Sequence, residues 1–450
     1  MVAPIHFIDI EEKRNAKSFK WLNVRKPELI ELFIKSVDFV DKAMHQENNI
    51  LNRIAQQPIN KLKQKELAQY FTPPDVALYT SIQLLNNYED GHSVYDPSIG
   101  KGSLLIASAS VLAIEYNLRD KKLINALKGS EICSDTYTIA LKNIYSAIKQ
   151  WTNNISEKEA LKILKTNIVN KDFFDSNIPK NSLIIANPPY KEIRGTGNIW
   201  LRFAEKIIND RNTKAFGLIV PVSISCAART KDLRNDITKK FGEIVAFHHE
   251  TRPRPLFKNV EQRITILHAT KTKTKNKYLT TGFLTHRAKD RFSIWESKYI
   301  ELDYAECNEV FPKLSTENMS FFKNNLTANN RLSDFIDINK EHYLWVRTTG
   351  RYKLQAQMKE PDEITCKWKK VFLNKKGAKI LMEIFENGKA LEWWKIYGDG
   401  RDMSLNRFLQ GFGVDEWMKL NNCTETHTKQ NAIQGGEWQK MEKNQLQMLF

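Results

Sequence analysis

The sequence predicts an α/β protein built on a mostly parallel, seven-stranded sheet, and three observations predict it. From Val94 to about Thr270, short β-branched or aliphatic runs alternate with longer helical patterns, the texture of strands joined by crossover helices. The first of those runs is followed by an acid, two glycines and a helix-like stretch, Asp96 to Leu105, which is the arrangement of a Rossmann-like nucleotide site. The composition, 41% hydrophobic, 10% aromatic and 27% charged with a mean hydropathy of -0.49, is that of a folded globular chain.

The 450 residues suffice for two or three domains. Residues 1–66 read as a helical N-terminal extension, with apolar positions Leu29, Ile30, Leu32, Phe33, Ile34, Val37 and Val40 ahead of a polar stretch. Residues 67–270 form the α/β domain, with strands expected at Ser93 to Tyr95, Leu127 to Ile132, Asn167 to Asn170, Ser182 to Ala186, Phe216 to Val220, Ile244 to His248 and Arg263 to His268. The alternation stops at the basic run Lys271, Lys273, Lys275 and Lys277, read as a boundary. A mixed C-terminal domain, residues 271–420, follows, and residues 421–450 read as a polar tail. No apolar run approaches the roughly 20 residues that span a bilayer, and Met1 to Lys20 lacks a secretory signal, so a cytoplasmic protein without a membrane partner is expected.

Lysine and arginine number 69 against 52 acids, a net charge of +17, which favours polyanionic partners and nucleic acid first. Beginning at Lys271 the chain holds 30 basic and 23 acidic residues, so both halves are basic. The five cysteines, Cys133, Cys226, Cys307, Cys366 and Cys423, are scattered with no CxxC, and His248 and His249, consecutive in a strand, point to opposite faces. No metal site is expected.

The chemistry lies at the strand ends. Asp96 closes the first strand, and Gly100 and Gly102 let the backbone turn tightly and approach a ligand while the next helix presents unpaired N–H groups. Glu131 ends the second strand, where a carboxylate can accept both hydroxyl protons of a ribose or stand as a plain surface acid. Asp172-Phe173-Phe174, after the third strand, offers a carboxylate and an aromatic face for an adenine ring, or a core phenylalanine beside a loop aspartate.

Asn187-Pro188-Pro189-Tyr190, directly after the strand Ser182 to Ala186, is the most specific signal. An amine on an aromatic ring is a poor nucleophile because its lone pair is delocalised. The Asn187 side-chain oxygen and the Pro188 carbonyl can take its two hydrogens and draw the nitrogen toward a tetrahedral geometry. Proline lacks an N–H and fixes φ, so the pair stiffens this corner, and Tyr190 can stack on the ring.

Together these segments resemble the S-adenosylmethionine-dependent amino-methyltransferases, with Asp96-Pro97-x-x-Gly100-x-Gly102 similar to motif I, Glu131 to motif II, Asp172-Phe173 to motif III and Asn187 to Tyr190 to motif IV. Gln69-Tyr70-Phe71-Thr72-Pro73-Pro74 resembles motif X, which implies that Tyr70, Thr72 and Pro73 lie against the cofactor; a helix start capped by Thr72 explains the same residues. The order of motifs, followed by a long C-terminal region, is similar to the γ class, the TaqI-like DNA adenine-N6 methyltransferases of restriction-modification systems. That resemblance implies a target-recognition domain at 271–420, double-stranded DNA as substrate and a separate cognate restriction endonuclease as partner. Ile99 and Lys101 depart from the family's commoner small residues around the first glycine.

Downstream, Phe216 to Ser223 resembles motif VI and Pro255 to Val260 resembles motif VIII, which implies that Phe257 forms a second aromatic wall for an extruded adenine; plain core is the other reading. Arg252 and Arg254 are placed for phosphate contacts, and Arg347 and Arg351 are candidates for reading bases. Protein glutamine-N5 methylation and RNA adenine methylation pose the same lone-pair problem. A fused endonuclease would rest on Asp290 with Glu296-Ser297-Lys298.

Overall fold

The structure, a computed structural model, describes residues 72–419 apart from 87, 191, 194–196, 258–260, 273–275, 288–290, 292, 293, 296, 298, 308, 340, 341, 350–353, 366 and 401. The N-terminal extension, Tyr70, Arg351, the polar tail and the triplet Asp290, Glu296 and Lys298 lie outside the described residues.

The chain divides into two compact units, residues 1–313 and 314–450. The first is organised by a nine-stranded sheet. Its strands are β1 (Ser93–Asp96), β2 (Leu127–Ser130), β3 (Ile168–Val169), β4 (Ser182–Ala186), β7 (Thr213–Pro221), β8 (Glu243–His249), β9 (Ile264–Thr270), β10 (Lys277–Leu284) and β11 (Ile300–Asp303); β5 (Glu192–Ile193) and β6 (Gly197–Asn198) pair separately. The order is β3-β2-β1-β4-β7-β9-β8-β10-β11. All seven expected strands are present, and the sheet is mostly parallel: β9 runs antiparallel between β7 and β8, and β11 runs antiparallel to β10.

Two strands more than expected belong to this unit, so it ends at Lys313 rather than near residue 270. The basic run is a connection inside the domain: Lys271 donates its amide to the Lys214 carbonyl, and Lys277 already opens β10. The run disguised β10, and so did the polar residues the strand buries. Thr280 and Thr281 are buried, with the Thr280 hydroxyl satisfied by the Pro312 carbonyl at 2.8 Å.

Helices pack against the sheet. α1 (Pro74–Leu85) and α2 (Ser103–Glu115) are buried almost all round, as helices lacking a polar face must be. They meet through small residues, Ser81 and Ser108 hydroxyls standing 3.0 Å apart. α3 (Asp120–Ala126), α4 (Ser134–Ile148) and α5 (Glu157–Asn167) accompany β2 and β3. α6 (Ile199–Asn209) is amphipathic, burying Trp200, Phe203, Ala204, Ile207 and Ile208 at helical spacing. α7 (Ser223–Cys226) and α8 (Lys231–Lys240) complete the unit.

The second unit is mixed. It contains α9 (Met319–Thr327), a three-stranded antiparallel sheet of β12 (Tyr343–Arg347), β13 (Gln355–Gln357) and β14 (Trp368–Phe372), and helices α10 (Lys375–Glu386), α11 (Lys389–Tyr397) and α12 (Leu405–Gly411). Leu344, Val346, Ile380, Ile384, Trp394 and Phe408 are among its buried residues. No helix among the described residues is long and apolar enough to cross a membrane.

Candidate active site

In an open α/β sheet, successive crossovers leave a crevice where the strand order reverses, and ligands bind there at the carboxyl ends of the strands. In this sheet the reversal falls between β1 and β4, because the chain proceeds from β1 outward through β2 and β3 and then returns to β4 on the other side. Asp96 ends β1 and Asn187 directly follows β4, and the register pairs Tyr95 with Ile184. The sequence-predicted acid and the Asn-Pro corner therefore share one crevice, one strand spacing of about 4.8 Å apart laterally.

The β1 side is held by backbone amides. Asp96 is fully buried; its Oδ1 accepts from the Ser98 amide at 2.9 Å, and its Oδ2 has no hydrogen-bond partner. Burial, with the Glu131 carboxylate nearby, pushes its pKa up to about 8. Glu131 accepts from the Gly100 amide at 2.9 Å through Oε2 and from the Cys133 amide at 3.0 Å through Oε1, and burial raises its pKa. Each oxygen has a second lone pair, so a ribose remains within its capacity.

Gly100 and Gly102 have φ of 56° and 94°, in the left-handed region that favours glycine. Gly102 is the N-cap of α2 and makes no side-chain cap, which leaves the first amides of that helix to a ligand. Ile99 is tucked under the loop: a Cβ on Gly129 would stand 2.7 Å from its Cδ1. Lys101 is also buried, at 1% exposure, and burial draws its pKa down to about 8.

On the β4 side, the Asn187 amide nitrogen donates to the Thr72 hydroxyl at 3.2 Å, and its Oδ1 accepts from the Tyr190 hydroxyl at 2.9 Å. The Tyr190 hydroxyl also lies 3.0 Å from the Ile219 carbonyl. Thr72 does not cap α1; the N-cap is Pro73, with Pro74 beginning the helix.

Several expected ligand contacts are elsewhere. Asp172 caps the short turn Phe173–Asp175 through the Phe174 amide at 2.9 Å. Phe173, at 2% exposure, packs on Phe203 with ring centroids 4.8 Å apart beneath the Lys206 ammonium, so its ring is core rather than an adenine platform. Phe257, also 2% exposed, belongs to the main hydrophobic core and forms no second wall. In both cases an aromatic beside a loop motif satisfies the core first, since burying the ring stabilises more than leaving it for a ligand. Arg252 and Arg254 are exposed, and Arg347 is half-buried on β12.

One feature carried no sequence signal. Arg291 makes a bidentate ion pair with Asp75 at 2.8 and 3.1 Å, both side chains almost wholly buried. The Trp295 indole also donates to Asp75 at 3.2 Å, and Arg291 donates to the Leu256 carbonyl at 3.1 Å. This brace ties the first turn of α1, three residues from Thr72, to the connection between β10 and β11 and, through the Leu256 carbonyl, to the loop after β8. A second buried pair, Arg263 with Glu250 at 2.8 Å, closes the base of that loop. Among the described residues no cluster of His, Cys, Asp or Glu could hold a metal ion.

The strand order, with one antiparallel strand inserted, and the acid and glycines at the switch point define an open α/β fold with a nucleotide-type crevice at the carboxyl ends of its strands. Residues 48–221 match the family model described as N-6 DNA Methylase. No curated protein matches the chain. Among solved structures it is similar to a DrdV–DNA complex, with a TM-score of 0.43 and 14% identity over 65% of this chain and 37% of that one. It is similar as well to the methyltransferase subunit of a type I restriction-modification system from Streptococcus thermophilus, with a TM-score of 0.37 and 15% identity over 55% and 60% of the two chains. A third likeness, to the M protein of the type I restriction enzyme EcoKI, has a TM-score of 0.39 and 14% identity over 98% of both chains. The chain spans 37% of the length of the first of these and 60% of the second.

Proposed function

We propose that the protein is a site-specific DNA methyltransferase that transfers a methyl group from S-adenosylmethionine to N6 of adenine in double-stranded DNA. The observation that carries this reading is the Asn187-Pro188 corner standing beside Asp96 at the switch point of the sheet, inside the segment that matches N-6 DNA Methylase.

The residues fit the donor. The unpartnered, buried Asp96 Oδ2 calls for a hydrogen-bond donor from a ligand, and the left-handed glycines open the backbone beside it. Asp96, Gly100, Gly102 and Glu131 would hold S-adenosylmethionine, with Asp172 at the rim. When bound it supplies an electrophilic methyl carbon: the N6 lone pair forms the new N–C bond, the C–S bonding electrons pass to sulfur, and the amine then gives up one proton to solvent. Asn187 and the Pro188 carbonyl hold the two N6 hydrogens, and Tyr190 stands beside the ring. Orientation is their main contribution.

An adenine inside a duplex cannot reach this crevice, so the nucleotide must rotate out, at roughly a few kcal/mol. The exposed Arg252 and Arg254 are suited to the displaced phosphates. The motif order supports the γ class, with the C-terminal unit and its Arg347 as the sequence reader. In that class the modification shields host DNA from a separate cognate restriction endonuclease.

Incubation with labelled S-adenosylmethionine and, in parallel, genomic DNA, RNA and a release-factor protein tests the assignment. Label recovered as N6-methyladenine in DNA is the expected result; label on RNA, on protein or on cytosine would overturn it.

A further inference from the structure

The Asn187 carboxamide must present its oxygen, in one plane, to a substrate amine. A side-chain amide rotates readily about its last torsion, and its oxygen and nitrogen ends are nearly the same shape. Turned by half a revolution, it would aim N–H groups at an amine that itself only donates. Something must hold that plane before substrate arrives. Two hydroxyls grip it from opposite ends: Thr72 Oγ1 accepts from Nδ2 at 3.2 Å, and the Tyr190 hydroxyl donates to Oδ1 at 2.9 Å. Thr72 is 7% exposed and stands at the start of α1, which the Asp75 ion pair anchors. The Tyr190 hydroxyl is fixed in turn beside the Ile219 carbonyl of β7, at 3.0 Å.

We infer that Thr72 and Tyr190 are positioning residues that fix the Asn187 carboxamide through their hydroxyls, Thr72 serving the amine corner rather than the methyl donor. Donation from Nδ2 to the Thr72 hydroxyl polarises the amide and strengthens its oxygen as an acceptor, so the two contacts reinforce one another. The aromatic ring of Tyr190 is left to its own role, and only the hydroxyl is assigned here.

The inference rests on the reading of Asn187 as the amine-binding group, and the test separates the two. Four proteins are compared with wild type: Thr72→Val, Thr72→Ser, Tyr190→Phe and the double variant Thr72→Val/Tyr190→Phe. Each is checked by thermal melting, by calorimetric affinity for S-adenosylmethionine, and by kcat and KM with genomic DNA. Thr72→Val and Tyr190→Phe should each lower kcat about 10- to 100-fold, the scale of a misplaced reacting group. Donor affinity should stay unchanged within about twofold. Thr72→Ser should restore most of the rate, and the double variant should lose less than the product of the single losses, because both act through one side chain. A Thr72→Val protein with weakened donor affinity and normal kcat at saturation would overturn the inference, as would a Tyr190→Phe protein with normal kcat. Should Thr72→Val not fold, Thr72→Ser and Tyr190→Phe still decide the matter. Wild-type protein that methylates no DNA sinks the functional reading itself instead.

Discussion

On the β1–β3 side of the switch point, Asp96, Glu131 and Asp172 are each held by backbone amides a few residues away or across one strand pair. On the β4–β10 side, the site depends on side chains far apart in sequence: Thr72 with Asn187, separated by 115 residues, and Asp75 with Arg291, separated by 216. The difference is one of purpose. Amide-held carboxylates keep lone pairs unused by those amides, and Asp96 Oδ2 lacks a hydrogen-bond partner. The ion-paired side chains are satisfied within the protein, so they brace the site and offer a ligand nothing. In the first case burial raises the carboxyl pKa, as at Asp96 and Glu131, whereas in the second the charge is met by its partner.

The brace yields the largest expected effect. Asp75→Asn leaves the Arg291 guanidinium buried without its counter-charge, which should cost about 3–5 kcal/mol of stability in denaturant unfolding. Replacing both partners, Asp75→Leu with Arg291→Met, should recover most of that loss, since an apolar pair of similar volume needs no desolvation. A loss below about 1 kcal/mol for Asp75→Asn would place the pair among surface bridges and erase the contrast between the two sides.

Next comes the amine corner. Asn187→Ala removes an acceptor needed only at the reacting nitrogen, so kcat should fall by about 10²–10³-fold or more. Affinity for S-adenosylmethionine, measured by calorimetry, should barely change, because the donor's groups lie on the β1 side. Loss of donor affinity in parallel with kcat would show that the two sides are not separable.

The same contrast explains what could be read from the sequence. The seven strands, the glycine loop and the Asn187 corner are local patterns, in which a strand end, a left-handed φ or a stiff proline pair shows in adjacent residues. β10 and β11 were missed because β10 buries threonines and follows a lysine run, so that composition pointed to solvent where topology placed a strand. For Phe173 and Phe257 the sequence allows both a ligand-facing ring and a core ring, and the core takes both. A phenylalanine next to a motif does not reveal which side of the backbone its ring fills. The Asp75–Arg291 pair and the Thr72–Asn187 bond depend on how α1 crosses the sheet, which no spacing encodes.

Asp96 tests the amide-held side. Its pKa, raised by burial to about 8 in the folded protein from an ordinary value of 3.8, means that the folded state holds a proton there which the unfolded chain has released. The stabilising contribution of that proton is therefore complete below about pH 4 and is lost as the pH climbs through about 8. Asp96→Asn should flatten this dependence, raising the melting temperature relative to wild type more at pH 8 than at pH 5 in the absence of donor. The same substitution should weaken S-adenosylmethionine binding by about tenfold, the scale of one charge-assisted hydrogen bond. An unchanged pH profile would mean that the carboxyl is ionised throughout and already compensated.

The smallest effect belongs to the loop after β8, where one residue type meets two fates. Arg263 is buried against Glu250 at the loop's base, whereas Arg252 and Arg254, within the same loop, are exposed. An exposed guanidinium is available to a phosphate, and its contact would be read as released counterions, not as specificity. Arg252→Ala and Arg254→Ala should each weaken DNA binding about equally for all sequences. Each should also reduce the slope of log affinity against log salt by about 0.9, with stability unchanged. If either variant altered the sequence methylated while leaving the salt slope intact, that arginine would be touching bases, and the division between bracing and ligand-facing side chains would have to be redrawn inside this single loop.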